Sequence, residues 1–304
     1  MIFSAILGII SFLSIIIFLF FSDVYILETK NSLLYFFNNV FPIIFPFYVL
    51  SSIIINGNLL LKASNKLKNI FPKTFNLPSC SIIVLVAGII SGYPSGAKIA
   101  ADLKNTGNLS RNDAALLCSF TNNIGPIFTI LVVGKKYLSN PLDGLKIWFC
   151  VTISSLIIGY VLCKTANKDE SCINNSSLIS ENHKINISTA ILNGLNTALY
   201  VGAVIVFFSS ITVLIKVIPC ITEFHESLFH TILELTGGMK KMNKFIVNSN
   251  FKKQIFCSLC SWTGLSSHMQ IYGIMKANDI PCKYFTIMKL IQPIIALCLL
   301  HILP

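Results

Sequence analysis

The sequence predicts an all-α polytopic membrane protein, and three observations support this fold class. Hydrophobic residues make up 54% of the 304-residue chain, and the mean hydropathy is +0.75. Only 12% of the residues are charged, whereas a soluble domain carries about a quarter. Most of the uncharged segments approach the about 20 residues that a bilayer-crossing helix needs, and none alternates strictly as barrel strands do. These segments are 1–22, 31–61, 74–97, 114–134, 147–163, 185–215, 254–275 and 290–304.

The first uncharged segment, 1–22, is interpreted as a retained transmembrane helix, because it lacks a basic n-region and a small-x-small cleavage site. The net charge of +11 arises in loops between the expected spans. We therefore expect a lipid bilayer, and no nucleic acid, as a partner. A basic loop around Lys62 to Lys73 follows the second span and places that loop and the N terminus in the cytoplasm. Two later loops, 135–146 and 240–253, are also basic, so this rule does not orient the second half.

Most of the ten cysteines lie within apolar segments, where a free thiol behaves as a small hydrophobic group. Cys257 and Cys260 have C-x-x-C spacing, but no second pair at zinc spacing accompanies them. We expect neither a metal nor a cofactor. Walker A, H-E-x-x-H and G-x-S-x-G sequences are absent from the chain, so we do not expect an enzyme.

The two halves of the chain show weak self-similarity. Residues 38–53 align without gaps on 196–211, and residues 91–111 align on 263–283. Chance alignment of apolar segments is the alternative, but the same order in both halves favours a duplication. The resulting division is 1–30 as first transmembrane helix and loop, 31–163 as repeat 1, 164–188 as polar linker and 189–304 as repeat 2.

Each repeat is expected to contain a re-entrant helical hairpin, at 79–106 in repeat 1 and at 254–277 in repeat 2. The apolar part of the first, 79–90, spans only about 18 Å as a helix, and the Gly/Pro/Ser sequence 91–96 then interrupts it. A single kinked helix is the alternative. One hairpin and three full spans give an odd number of crossings, so the repeats are expected to be inverted, as in many secondary transporters. The segment 58–70 is predicted to be an interfacial amphipathic helix.

The first hairpin supplies the leading candidate for a binding site. Lys98 lies one turn from its tip, where an ammonium group is expensive to bury in lipid. Together with exposed amides at the start of the second short helix it would form an anion site. Alternatively, Lys98 extends to the interface. The other candidate binding residues of this hairpin are Ser91, Gly92, Tyr93, Pro94, Ser95 and Gly96.

Polar residues interrupt two further segments. Asn122 and Asn123, followed by Gly125-Pro126, are too polar to face lipid and indicate either a discontinuous element at the same cavity or interhelical packing. In the second half, Glu234 could bind a proton or cation, pair with Lys98, or lie at the interface. Its neighbour Thr236 is a further candidate. The counterpart of the first hairpin contributes Gly264, Ser266, Ser267, His268 and Gln270, and His268 could donate to a substrate or carry a proton.

The sequence Ser-Gly-Tyr-Pro-Ser-Gly-Ala-Lys at 91–98 resembles the YlbJ-type sporulation integral membrane proteins, within the wider group that carries the nucleoside-recognition or Gate domain. Three later stretches, at 122–128, 234–237 and 264–270, are similar in the same order. The resemblance covers roughly residues 33–300. The chain departs from the family in its short length, and its second predicted hairpin lacks a Pro or Lys counterpart to Pro94 and Lys98.

The resemblance implies movement of dipicolinic acid from the mother cell across the outer forespore membrane, and a fold similar to the concentrative nucleoside transporters. The sequence therefore favours a permease of the cell membrane or outer forespore membrane, with dipicolinate as the anion. A nucleoside or other small-solute transporter is the alternative of the same class, and a non-transporting scaffold of spore envelope assembly is the alternative of another class. A homo-oligomer is left open.

Overall fold

The computed structural model describes residues 2–56, 70–166, 187–216, 218 and 221–302. Within this part the secondary structure is helical, with no strand, and four helices are long and apolar enough to cross a membrane. The chain is therefore a multi-pass membrane protein. The predicted amphipathic helix at 58–70 and most of the predicted linker at 164–188 lie outside the described residues. The four long helices are Ser22–Leu50, Pro141–Thr165, Ile187–Lys216 and Lys283–Ile302.

The first half contains nine helices within the described ranges. Two of them, Ser22–Tyr35 and Phe41–Asn56, are joined by a π-helical turn, Phe36–Val40, and are therefore continuous. One later helix, Phe128–Tyr137, is π-helical throughout. The helices are α1 (Ile2–Phe20), α2 (Ser22–Tyr35), α3 (Phe41–Asn56), α4 (Ile70–Phe75), α5 (Ser81–Ser91), α6 (Ser95–Asn105), α7 (Arg111–Thr121), α8 (Phe128–Tyr137) and α9 (Pro141–Thr165).

The second half contains two long helices and several short ones. Polar side chains accept hydrogen bonds from backbone N–H groups at several helix starts. Thr222 does so before the helix Glu223–Leu233, and Asn248 does so before the helix Ser249–Trp262. Such caps satisfy donors that a helix leaves unpaired. The helices are α10 (Ile187–Ile211), α11 (Val213–Lys216), α12 (Glu223–Leu233), α13 (Leu235–Met242), α14 (Ser249–Trp262), α15 (Leu265–Ala277) and α16 (Lys283–Ile302).

Helix pairs of two kinds follow the breaks in the chain. α5 packs alongside α6, and α12 packs alongside α13, as the arms of a hairpin do. By contrast, α14 and α15 make little contact with each other, and the same is true of α7 and α8. The predicted second hairpin at 254–277 therefore differs in the structure: its helices do not fold back on each other around Thr263 and Gly264. The hairpin of the second half lies earlier, at 223–242.

The long helices α3 and α10 pack most extensively against each other. Gly194 of α10 lies against the side chain of Val49, and Gly202 lies against the ring of Phe36; a Cβ at either glycine would lie within 2.6 Å of its neighbour. The close approach of the two helices therefore depends on these glycines. Segments 38–53 and 196–211, which align in sequence, both lie in this contact.

A buried ionic cluster ties α2 to the hairpin α12–α13. Glu28 is 7% exposed, and its carboxylate lies 2.8 Å from the ammonium of Lys241 and 3.5 Å from that of Lys216. Lys241 also lies 2.9 Å from Glu226. The cluster fixes the base of this hairpin to the first part of the chain.

The hairpin α5–α6 is seated on α7 through two glycines. A Cβ at Gly88 would lie 2.0 Å from the carbonyl oxygen of Thr121, and one at Gly96 would lie 2.7 Å from the Thr121 hydroxyl. Both arms therefore need a residue without a side chain at this contact. Their interaction also places the tip of the hairpin beside the polar residues that follow α7.

We expect Gly88→Ala to lower the free energy of unfolding by about 1–3 kcal/mol, the usual effect of overpacking a tight contact. The midpoint of thermal unfolding of the protein in detergent measures this change. Gly107→Ala is the matched control for packing, because nothing lies within 4 Å of a Cβ at Gly107, although its positive φ adds some strain of its own. A Gly88→Ala variant as stable as wild type would show that the two helices separate at this contact without loss.

Candidate functional site

Two neighbouring cavities lie beside the tip of the first hairpin. The larger, which we call the Lys98 cavity, has a volume of about 430 Å³ and is lined by residues of α3, the first hairpin, α10 and α15. The smaller, the inner cavity, has a volume of about 50 Å³ and lies between α3, α10 and the break after α7. Tyr48 and Ser91 line both cavities. The two side chains thus stand between them.

The first hairpin tip is held against the break that follows α7. Tyr93 donates its N–H to the carbonyl oxygen of Asn123 at 2.8 Å, and its own carbonyl oxygen accepts from the Tyr48 hydroxyl at 3.1 Å. Gly92 has a φ of +73°, and a Cβ there would lie 2.6 Å from the Gly125 nitrogen. Glycine is required at this position for both reasons.

Lys98 is exposed and lines the Lys98 cavity, one turn into α6. Among the described residues, its ammonium makes no ion pair. Asp102, one turn further along the same helix, lines the cavity too. Ser95, the first residue of α6, and Pro94 just before it line the same space, so the positive end of the α6 dipole lies beside it.

Ser91 is 6% exposed, and its hydroxyl has no hydrogen-bond partner among the described residues. Buried hydroxyl groups are normally paired. Ser91 lines both cavities, but its hydroxyl oxygen is itself buried. Polar groups on the opposite wall, which the sequence analysis did not single out, are those of Asn193, Asn196, Thr197, Tyr200 and Asn278.

The two asparagines after α7 have different partners. Asn122 accepts a hydrogen bond from the backbone N–H of Ala97 at 2.9 Å, so it binds the first turn of α6. Asn123 accepts from the ammonium of Lys289 at 3.2 Å and from the amide of Gln292 at 2.8 Å. Both asparagines are buried. In the structure these residues connect helices, which is the packing alternative, and they also lie next to the cavities.

Lys289 and Gln292 were missed by sequence reasoning. Both are 0% exposed, and they lie one turn apart on α16. The available signal was a lysine and a glutamine inside a helix otherwise apolar enough to span a membrane. Because the uncharged segment begins at residue 290, the sequence places Lys289 at its boundary rather than inside the span.

Glu234 is 1% exposed and lies between the two arms of the second hairpin. One carboxylate oxygen accepts from the Thr236 N–H at 2.8 Å and from its hydroxyl at 2.6 Å, and the other accepts from the Gly237 N–H at 2.6 Å. The carboxylate therefore caps α13 and forms no ion pair with Lys98. Thr236 lines the inner cavity.

The candidate residues of α15 lie apart from the two cavities. Ser267 donates to the carbonyl oxygen of Thr263 at 3.0 Å, and His268 Nε2 lies 2.8 Å from the carbonyl oxygen of Trp262. Gly264, with a φ of +83°, packs on the backbone between the arms of the second hairpin. Ser266 and Gln270 are buried and line neither cavity. The structure therefore does not bring this group together with Lys98.

Comparison with known proteins finds sequences to which this chain is similar. Residues 37–140 match the family model described as nucleoside recognition, or Gate. The chain is 25% identical to "Sporulation integral membrane protein YlbJ" of Bacillus subtilis (strain 168), an alignment that covers 88% of this chain and 74% of that protein. The resemblance to YlbJ-type proteins is confirmed. No solved structure matches the chain at a significant level.

The segment that matches the Gate model contains α3, the first hairpin, α7 and α8. It therefore includes Lys98, Ser91 and both asparagines, and it ends as α9 begins. The α10 wall of the Lys98 cavity lies outside it. Neither the Gate description nor the name of YlbJ refers to an enzymatic reaction.

Proposed function

We propose that this chain is a permease for a small organic anion, with dipicolinate, formed during sporulation, as the leading solute. The observation that carries the proposal is the exposed ammonium of Lys98 in the Lys98 cavity, with no ion-pair partner among the described residues. The similarity to a sporulation membrane protein supports the same proposal. The outer forespore membrane is the proposed location.

The size and chemistry of the cavity support a small polar solute. A volume of about 430 Å³ falls within the range of small-molecule sites, roughly 300–1,000 Å³. A dianion would find the Lys98 ammonium and the start of α6 on one wall. Amide and hydroxyl groups of α10 would face it from the other wall.

The order of elements supports an inverted repeat, with a different correspondence from the one predicted. Each half runs as a long helix, a hairpin, an interrupted helix and a second long helix. In this scheme α3 corresponds to α10, the hairpin α5–α6 to α12–α13, the pair α7–α8 to α14–α15, and α9 to α16. Three crossings and one hairpin per half reverse the second half relative to the first, the architecture proposed to resemble concentrative nucleoside transporters.

A nucleoside transporter is the second candidate, and two observations favour it. The Gate model is described as nucleoside recognition, and three asparagines line the Lys98 cavity. Amide side chains can form the paired hydrogen bonds that a nucleobase edge requires. Asp102 in the same cavity would also disfavour an anion.

Binding measurements on the purified protein test the proposal. We expect dipicolinate to bind saturably and uridine to bind at least tenfold more weakly, measured by calorimetry in matched buffers. Tighter binding of uridine would replace the anion permease with the nucleoside transporter. A failure of both solutes to bind would favour a scaffold, which has no need for a polar cavity.

A further inference from the structure

The buried ammonium of Lys289 lies in an environment of neutral oxygen atoms. It donates to the Asn123 side-chain oxygen at 3.2 Å, to the Ser261 carbonyl oxygen at 3.3 Å and to the Gln292 side-chain oxygen at 3.0 Å. An ammonium group has three donors, so these three acceptors satisfy it completely. No carboxylate pairs with Lys289 within the described ranges.

Two helix ends point at this group. Ser261 lies in the last turn of α14, where carbonyl oxygens lack a partner within the helix. Asn123 follows the last residue of α7 by two positions. Because the C-terminal end of a helix carries partial negative charge, the two interrupted helices supply a field that favours a cation between them. The Phe285 ring adds a face 5.9 Å from the ammonium.

Such an environment is the kind that holds a monovalent metal ion in a transporter. Unwound backbone carbonyl oxygens and the C-terminal ends of interrupted helices coordinate sodium in secondary transporters, and hard cations take oxygen ligands. Here the same set of ligands is complete around a side chain that cannot dissociate. Three hydrogen bonds and two helix ends stabilise the charge against the cost of burying it.

We propose that Lys289 is a tethered cation that takes the place of a monovalent metal ion between the ends of α7 and α14. The protein would then need no sodium or potassium to hold the two interrupted helices together. The inference depends on the contacts of Lys289 and not on the proposed solute.

Truncating Lys289 tests this inference. In Lys289→Ala the three oxygen atoms remain and the ammonium is lost, which leaves a cation site with room for an ion. We expect the midpoint of thermal unfolding of this variant to rise saturably with sodium chloride, relative to choline chloride at equal ionic strength, as linkage to a bound ion requires. The wild-type midpoint should be the same in sodium, potassium and choline chlorides.

Two variants serve as controls. Lys289→Met fills the same space with an uncharged side chain, so its unfolding midpoint should not respond to the choice of cation. In Lys289→Ala combined with Gln292→Leu, one ligand is removed and the response to sodium should weaken. Should Lys289→Ala fail to fold in every salt, Lys289→Ser is judged by the same criterion.

The inference would be overturned if the unfolding midpoint of Lys289→Ala did not rise selectively with sodium. It would also be overturned if the unfolding midpoint of the wild-type protein did rise selectively with sodium. Because the assay contains no dipicolinate or uridine, its outcome is separate from that of the solute-binding experiment. A protein that binds neither solute can still give the expected cation response, and a protein that binds dipicolinate can fail to give it.

Discussion

Lys98→Ala is expected to weaken dipicolinate binding by about 10- to 100-fold, because a hydrogen bond to a charged group contributes about 1.5–3 kcal/mol. The ammonium lines the Lys98 cavity and has no competing ion-pair partner among the described residues. Its loss therefore removes attraction for the anion without breaking an ion pair among the described residues. Calorimetric titration of the purified variant and wild type measures the ratio of dissociation constants.

Lys104→Ala is the matched control for Lys98→Ala. It removes the same charge from the same helix, but Lys104 does not line the Lys98 cavity, so binding should change by less than about threefold, the scale of exposed charges. Asp102→Asn should act in the opposite direction and strengthen binding severalfold, since a carboxylate in the cavity repels an anion. Equal losses in the two lysine variants would mean that the overall charge of the hairpin, and not a site, attracts the solute.

Asn123→Leu is expected to lower the free energy of unfolding by about 3 kcal/mol or more. One side-chain oxygen accepts from both Lys289 and Gln292, and its removal leaves two buried donors short of a partner, one of them charged. Each such group costs about 1–3 kcal/mol, and a charged group costs more. The thermal unfolding midpoint of the protein in detergent should therefore fall well below that of wild type.

The double variant Asn123→Leu with Lys289→Met separates this cause from a general packing defect. Removing both partners of a buried hydrogen bond is often nearly neutral, so the double variant should recover much of the lost stability. If the two changes simply add, the loss in Asn123→Leu arises from the shape of leucine and not from the stranded ammonium.

Apolar segments and chain breaks could be predicted from the sequence for physical reasons. A bilayer leaves no alternative to helices for long uncharged runs, and the break at 91–96 follows from a proline and two glycines that interrupt an apolar run. The structure ends α5 at Ser91 and begins α6 at Ser95. The same reasoning identifies Lys98, because a charged side chain next to such a break can be placed at low free-energy cost in only a few environments.

The hairpin of the second half lies one helix pair earlier than the sequence predicts. The segment 254–277 has the composition of a broken apolar helix, but composition does not show whether two short helices fold back or follow each other. That choice depends on packing: Gly238 approaches the backbone of Thr231 so closely that a Cβ would lie 2.2 Å from its Cα atom. The burial of Lys289 was also not predictable, since a lysine next to an uncharged run usually lies at the interface.

Tyr48, which lines both cavities, lies just after a proline inside α3. Tyr48, whose hydroxyl bonds to the hairpin tip, follows Pro46 by two residues inside that helix. Proline supplies no backbone donor, so α3 lacks one rung of its hydrogen-bond ladder there and bends at this point with less resistance than elsewhere. A bend at Pro46 changes the direction in which the helix carries Tyr48. Tyr48, which separates the two cavities, is therefore carried by a part of α3 that can bend. The hairpin tip to which its hydroxyl bonds is held by a hydrogen bond to Asn123, just after α7.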